Sequence, residues 1–285
     1  VFALGNGYFN SEPQNIDKYV QTFSSSVIWL LLGGFFLARA MTKTKLDQAL
    51  FRYTLKLSGT NPRHLLIGLM GATMLASMIM SNTATTAMVI AGVLPLLTTL
   101  GKESGVSKAL LLGIPMAAST GGMATIIGTP PNAIAVGLLK NAGVEIEFID
   151  WMIYGVPLAI ILTSVCCLVL ILIFLKDKTP IPIDFLEDQG SDTSKESLTQ
   201  RRIVSGVIII TVGLWITTSL HGLTVASVCA VPLVILTLTG VLEGKDIQGL
   251  PWDTLLLVAG GLSLGIALEN TGLLTHYGNI LISME

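Results

Sequence analysis

The sequence predicts an all-α membrane protein that crosses the bilayer several times. Of its 285 residues 52% are hydrophobic and 12% are charged, which is far more apolar sequence than a soluble core requires. Uncharged stretches at 151–175, 203–220 and 223–242 are each long enough to cross a bilayer. Two further apolar stretches are interrupted by polar residues and prolines. Together these observations predict a polytopic fold that contains broken helices.

The first interrupted stretch, 69–101, contains two apolar runs separated by Ser81, Asn82 and Thr83. Each run is roughly half of the ~20 residues that a crossing needs. We therefore expect a re-entrant hairpin, which enters the membrane and turns back. Cationic residues on both flanks agree with this geometry, because a single crossing would have them on one flank only. Non-helical backbone at this depth must be buried in protein or line a watery cavity, so the tip is a candidate binding site.

The second interrupted stretch is 109–139. It contains Gly121 and Gly122, and then the sequence Gly128-Thr129-Pro130-Pro131-Asn132. Proline cannot donate a backbone hydrogen bond and has a fixed φ, so tandem prolines suit the first turn of a new helix. We expect a discontinuous transmembrane helix that is broken at both places. A simple proline kink is the alternative.

The topology follows from the lysines and arginines. The first crossing, 24–41, is followed by a strongly cationic segment, which places the cytoplasm at its end. Apolar residues recur at helical spacing in that segment, so an amphipathic helix along the membrane surface is favoured over a plain loop. They are Leu46, Leu50, Phe51 and Leu55. The later crossings then run inward at 151–175, outward at 203–220, inward at 223–242 and outward at 252–268.

Two segments of the chain resemble each other without gaps at an offset of 227 residues. The first copy runs inward and the second outward, as in the inverted-topology repeats of secondary transporters. At this offset a second hairpin tip would fall near position 308, so we expect a partial fragment that holds one half-site. The most specific matches pair Gly33 with Gly260, Gly34 with Gly261, Thr44 with Thr271 and Leu46 with Leu273.

The hairpin tip offers groups for both a cation and an anion. Unpaired carbonyls at the end of the incoming helix attract a cation, and unpaired N–H groups at the start of the outgoing helix attract an anion. No Lys, Arg, Asp or Glu occurs in 65–101 or 109–139. An anion bound there would need a co-bound cation. The alternative role for Ser81, Asn82 and Thr83 is a helix cap or a polar contact between helices.

The pairing of Ser81-Asn82-Thr83 with Gly128-Thr129-Pro130-Pro131-Asn132 resembles the divalent anion/sodium symporter family, which includes dicarboxylate and citrate transporters. The resemblance covers nearly the whole chain. It implies a homodimer in which a transport domain moves past a scaffold by an elevator mechanism. By the family's motif, sodium would be held by Ser77, Ser81, Asn82 and the carbonyl of Gly128, and a substrate carboxylate by Asn82, Thr83 and Thr129.

Four parts of the chain are expected on this basis. Residues 1–61 hold scaffold helices and the amphipathic arm helix, and residues 62–175 form the transport domain. Residues 176–202 form a cytoplasmic linker. Residues 203–285 hold scaffold helices and the start of the second inverted repeat.

The predicted function is secondary active transport of small dicarboxylates such as succinate, malate or fumarate, coupled to sodium or run as anion exchange. A tricarboxylate such as citrate or an inorganic oxyanion is the alternative substrate. We expect a multi-pass plasma-membrane protein, with sodium as coupling ion, no other cofactor and no nucleic-acid partner. An intramembrane enzyme would need ionisable groups at mid-depth, which both broken stretches lack. A channel would instead show flux without saturation.

Overall fold

A computed structural model of the protein describes residues 16–175 and 195–271, which form helices joined by short connections. The helices are α1 (Asp17–Val20), α2 (Ser26–Lys43), α3 (Leu46–Ser58), α4 (Pro62–Ser77), α5 (Asn82–Leu100), α6 (Gly105–Met123), α7 (Pro130–Asn141), α8 (Phe148–Phe174), α9 (Lys195–Ile216), α10 (Thr218–His221), α11 (Val225–Val228), α12 (Ala230–Leu238), α13 (Gly244–Gln248) and α14 (Trp252–Asn270), with a short 3-10 helix at Gln21–Ser24.

Five of the described helical segments are long and apolar enough to cross a membrane. They confirm the polytopic prediction and include the expected first, 151–175, 203–220 and 252–268 crossings. The segments are Asp17–Lys43, Asn82–Leu100, Phe148–Phe174, Leu198–Ile216 and Trp252–Asn270.

The hairpin has both of its outer ends at the same end of the molecule. Arg63, at the start of α4, donates to the carbonyl of Leu175 at 3.4 Å. Gly105, five residues beyond the end of α5, lies against the carbonyl of Phe174. Because both contacts are made with the end of α8, α4 and α5 run in opposite directions. The turn between them is the one predicted from the sequence.

The predicted length of the hairpin arms was wrong. α4 has 16 residues and α5 has 19, about 24 and 28 Å at 1.5 Å per residue, so α5 alone has the length of a crossing. The first arm is longer than predicted because α4 already begins at Pro62, where Asn61 accepts from the N–H of Arg63 and caps the helix.

One other predicted boundary also changed. The expected crossing 223–242 is shorter, because α11 and α12 together span only 225–238 and are interrupted at Cys229. Pro232 has no N–H to donate to the carbonyl of Val228, which explains the interruption. Within the expected linker, 176–202, residues from Lys195 onward are helical and begin α9. Residues 176–194 lie outside the described residues, as does Leu273.

The amphipathic segment forms α3, as predicted. Phe51 and Leu55 are buried against the hairpin helices, while Leu50 remains exposed. Asp47 is 2% exposed, and its carboxylate accepts from the N–H of Gln48 at 2.8 Å. Burial raises the pKa of Asp47 above its ordinary value, against the lowering effect of that bond.

Two hydrophobic cores organise the described helices. The first core joins α2, α7, α9, α12 and α14, and the second joins α3, α4, α5, α6 and α8. Within the first core α2 and α14 are antiparallel. Thr22 and Ser263 hydrogen bond at one end at 2.9 Å, and Arg39 contacts Asp246, shortly before α14, at the other end at 3.0 Å. The stretch between α6 and α7 passes from the second core to the first.

Gly121 allows α4 and α6 to pack at close range. A Cβ at Gly121 would meet the backbone of Met74, with its Cα only 2.8 Å away. Gly121 and Gly122 were predicted to break the helix, but α6 continues through both to Met123. Their role is close packing, because the backbone of Met74 at Gly121, and the side chains of Asn82 and Thr129 at Gly122, occupy the space that a side chain would need.

The Gly121→Ala variant is expected to lower the free energy of unfolding by about 1–3 kcal/mol because of this collision. The measurement is the thermal midpoint of the detergent-solubilised protein, with the folded fraction detected by size-exclusion chromatography. Gly71→Ala is the matched control, because a Cβ at this position of α4 meets nothing within 4 Å. Equal midpoints for the two variants would contradict the packing argument.

Asp47→Asn is expected to stabilise the protein increasingly as the pH rises from about 4 to 8. A carboxyl whose pKa is raised in the folded state favours folding when protonated, and this contribution is lost as pH rises through the raised pKa. The measurement is the difference in thermal midpoint between variant and wild type across that range. Glu269→Gln, at an exposed carboxylate, should show no such trend.

Candidate functional site

The hairpin tip consists of the four residues between α4 and α5. α4 ends at Ser77, and Ser81 is the N-cap of α5, where its hydroxyl accepts from the N–H of Ala84 at 3.2 Å. Asn82 and Thr83 therefore belong to the first helical turn rather than to the loop. The capping alternative is correct for Ser81, and the N–H groups of the first turn face the broken region as expected for a helix start.

The second break lies between α6 and α7. α6 ends at Met123, and Thr129 is an extended N-cap with φ of −149° that precedes the two prolines of the first turn. The Asn132 amide donates to the carbonyls of Gly122 at 3.0 Å and Thr125 at 2.8 Å. This break therefore has few free groups, since Pro130 and Pro131 have no N–H and Asn132 occupies two of the released carbonyls.

The two breaks are hydrogen bonded to each other. The Thr125 hydroxyl donates to the carbonyl of Met78, the C-cap of α4, at 2.5 Å. The fully buried Ser77 hydroxyl lies 2.7 Å from the carbonyl of Ala118. These contacts place the ends of α4 and α6 side by side and satisfy a carbonyl that would otherwise be orphaned.

Gly122 brings Asn82 and Thr129 together. A Cβ at Gly122 would collide with the Asn82 amide oxygen and would lie 2.9 Å from the Thr129 methyl group. Gly128 packs on the backbone of Gly122, so that a Cβ there would collide with the glycine carbonyl. Asn82 and Thr129, one residue from each predicted motif, thus contact the same glycine.

Ser77, Asn82 and Ala118 form a cluster of oxygen atoms. The Ser77 hydroxyl is 2.7 Å from the Asn82 amide oxygen and 2.7 Å from the Ala118 carbonyl. A hydroxyl has one hydrogen and can donate to only one of two acceptors at a time. The Ala118 carbonyl belongs to the interior of α6, so the Ser77 hydrogen can serve the Asn82 amide oxygen. The three oxygen atoms are ligands of the kind that a hard cation such as sodium prefers.

A cavity of about 590 Å³ contains the predicted site residues. Ser81, Asn82, Thr83, Gly128 and Thr129 line it, while Ser77 lies buried behind Asn82. Residues from α2 and from 249–254 complete the wall. The cavity therefore lies between the two helix breaks and the first hydrophobic core.

Sequence reasoning missed three residues of this region. Thr125 and Asn132 join the breaks, and Arg39 lines the cavity. Arg39 had a sequence signal, because it is an ionisable residue inside the predicted first crossing. Thr125 had none beyond its polarity, because only the packing of α6 on α4 shows which carbonyl it reaches.

The described helices form a multi-pass membrane fold with a cavity between two helix breaks, and comparison with known proteins specifies the family. Residues 10–284 match the family model described as citrate transporter. The chain belongs to the citrate transporter family, which confirms the kind of family expected from the sequence. It is a multi-pass integral membrane protein of the plasma membrane.

Individual relatives are similar over most of the chain. Inorganic phosphate transporter PHO87 of Saccharomyces cerevisiae is 33% identical over 89% of the chain and 27% of its own length. An uncharacterised transporter of Haemophilus influenzae is 33% identical over 88% and 56%. Sodium-dependent dicarboxylate transporter SdcS of Staphylococcus saprophyticus is 30% identical over 95% and 58%. The chain thus spans between about a quarter and three fifths of these relatives.

Thr125→Val is expected to lower the free energy of unfolding by about 1–2 kcal/mol, because the Met78 carbonyl loses its donor in a buried place. The thermal midpoint of the solubilised protein measures this change. Thr98→Val is the matched control, since that exposed hydroxyl bonds only to Pro95 in its own helix. A decrease of the same size in both variants would show that the hydrogen bond between the breaks adds no more stability than a bond within one helix.

Proposed function

We propose that the protein is a secondary active transporter of small dianionic carboxylates of the succinate, malate or fumarate type, coupled to sodium or operating by exchange. One observation carries the proposal: the residues of both helix breaks line one cavity beside a cluster of three oxygen atoms. The SdcS relatives are named sodium-dependent dicarboxylate transporters, which supports the same substrate and coupling ion.

Sodium would bind at the hairpin tip. The Asn82 amide oxygen and the Ala118 carbonyl each lie 2.7 Å from the Ser77 hydroxyl. Ser81 and Gly128 line the adjoining cavity. Sodium would be coordinated by these oxygen atoms. Since the stretches 65–101 and 109–139 contain no charged residue, the ion would also neutralise a bound anion nearby.

The carboxylate would bind at the start of α5. Its first-turn N–H groups and the helix dipole favour an anion there, and the side chains of Asn82, Thr83 and Thr129 add donors within the same cavity. The start of α7 adds less than the sequence alone indicated, because Pro130 and Pro131 donate nothing. Thr129 would therefore be the main contact from the second break.

The domain division and the elevator motion are also part of this proposal. The scaffold would comprise 1–61 and 203–285, the transport domain 62–175, and the linker 176–202, in a homodimer. The antiparallel arrangement of α2 and α14, at equivalent positions of the internal repeat, supports an inverted repeat.

A tricarboxylate or an inorganic oxyanion is the second candidate substrate. The matching family model is described as citrate transporter, and PHO87 is named an inorganic phosphate transporter. The same neutral donors recognise any of these anions, so the cavity chemistry supports the class more strongly than the individual substrate.

Uptake into proteoliposomes tests the function. Labelled succinate, citrate, phosphate and sulfate are compared with and without an inward sodium gradient. We expect saturable succinate uptake that rises with the gradient, or that depends on internal dicarboxylate if the protein is an exchanger. Asn82→Ala should lose at least about 90% of this uptake, since it removes a contact to both ion and substrate. Asn141→Ala, at the exposed end of α7, is the control.

The sodium site has its own measurement. Ser77→Ala should raise the sodium concentration for half-maximal uptake about tenfold, equivalent to roughly 1.4 kcal/mol. If the Asn82 amide instead donates its N–H to Ser77, the cluster is an ordinary hydrogen-bond network, and the sodium dependence of Ser77→Ala will match that of wild type. Non-saturating flux in the wild type would identify a channel.

A further inference from the structure

Arg39 lies in the wall of the cavity that contains the two helix breaks. Among the described residues that line this cavity, it alone carries a fixed charge. Its side chain is 41% accessible, although it belongs to α2, a helix of the first core. A charged side chain within a membrane-spanning helix is costly and commonly marks the path of an ion or substrate.

Arg39 is paired with Asp246, but this pairing is easily exchanged. Its Nε and Nη2 both donate to Oδ1 of Asp246, at 3.3 and 3.0 Å. The other oxygen, Oδ2, accepts from Lys43 at 2.6 Å and from the N–H of Glu243 at 3.0 Å. If Arg39 turns away, the buried carboxylate keeps a cation and a backbone donor. It is therefore not left uncompensated, which would be the costly outcome.

The charge around Arg39 favours an anion. Arg39 and Lys43 share the single buried carboxylate of Asp246. Glu243 is 3.7 Å from Lys43 and its side chain is 71% exposed, so solvent screens it. The local balance is therefore positive on the cavity side. The planar guanidinium group can also hold a carboxylate or phosphate through two parallel hydrogen bonds.

We propose that Arg39 captures the incoming anion, by exchanging the Asp246 carboxylate for an oxyanion of the substrate within the cavity. The anion then passes to the neutral donors Asn82 and Thr129. This inference rests on the proposed function. Because Arg39 lies on α2 and not on either break, its charge acts on capture of the anion from solution, whereas the tip residues and sodium hold it afterwards.

A purely structural role makes a different prediction. If Arg39 only ties α2 to α13, its loss lowers the stability and the amount of active protein. The maximal rate would then fall while the half-saturating substrate concentration stays the same. A capture role instead raises that concentration and leaves the maximal rate per folded transporter nearly unchanged.

The experiment measures initial uptake rates against anion concentration in proteoliposomes, with the folded protein quantified for each variant. Arg39→Gln should raise KM for the transported anion about tenfold, the usual worth of one charge-assisted bond, with kcat within about twofold. Arg39→Lys should restore most of the affinity.

Asp246→Asn should lower KM, because it frees the guanidinium. Arg202→Gln, an exposed arginine of α9, is the matched control. Added salt should narrow the difference between wild type and Arg39→Gln.

Protection of the purified protein against thermal aggregation by succinate, citrate, phosphate and sulfate gives a second readout that does not need transport. If the wild type responds to an anion, and Arg39→Gln shows the same KM and the same protection as the wild type, the capture role is overturned and the proposed function is not. Equal defects in Arg39→Gln and Arg39→Lys also overturn it. A wild type that neither takes up nor is protected by any of the four anions overturns this inference and the proposed function together.

Discussion

The close approach of the two helix breaks at Gly122 is the constraint on which the site depends. With no side chain at this position, the Asn82 amide and the Thr129 methyl group both reach the backbone of α6. Gly128 packs on the same residue. A methyl group here would push the hairpin tip away from the second break, and the shared cavity would open. The parallel packing of α4 and α6, made possible by Gly121, holds both helix ends at the same level.

Breaking two helices releases backbone groups, and the structure satisfies most of them with side chains. Thr125 serves the end of α4, Asn132 the end of α6, and Ser81 the start of α5. The Ser77 hydroxyl lies 2.7 Å from both the Asn82 amide oxygen and the Ala118 carbonyl. These oxygen atoms belong to the proposed sodium site, whereas the capping side chains hold the breaks together. The second break has fewer free groups, because its prolines have no N–H and Asn132 occupies two carbonyls.

Charge is kept apart from the tips. The helices that form the breaks carry none between 65–101 and 109–139, whereas the facing wall carries Arg39 with its partner Asp246. Burial of Asp246 would raise its pKa, but hydrogen bonds from Lys43, the Glu243 backbone and Arg39 lower it below the ordinary value. The carboxylate therefore stays charged near neutral pH. A fixed cation on the wall and neutral donors on the breaks suit the proposed site, which would attract an anion and later release it.

The sequence by itself determined the membrane class, the hairpin turn, the first helical turn at Pro130 and the amphipathic α3, because each depends on local periodicity, length or a missing N–H. It placed the start of α4 too late, because a cap decides that start, and it made the 223–242 crossing too long, because Pro232 interrupts the helix. It also predicted a break at Gly121 and Gly122, where the structure shows close packing instead. Only the tertiary structure brought Asn82 to Thr129, joined Thr125 to Met78 and placed Arg39 in the cavity wall. These contacts join residues from separate helices, and their geometry follows from how closely the helices pack rather than from any spacing along the chain.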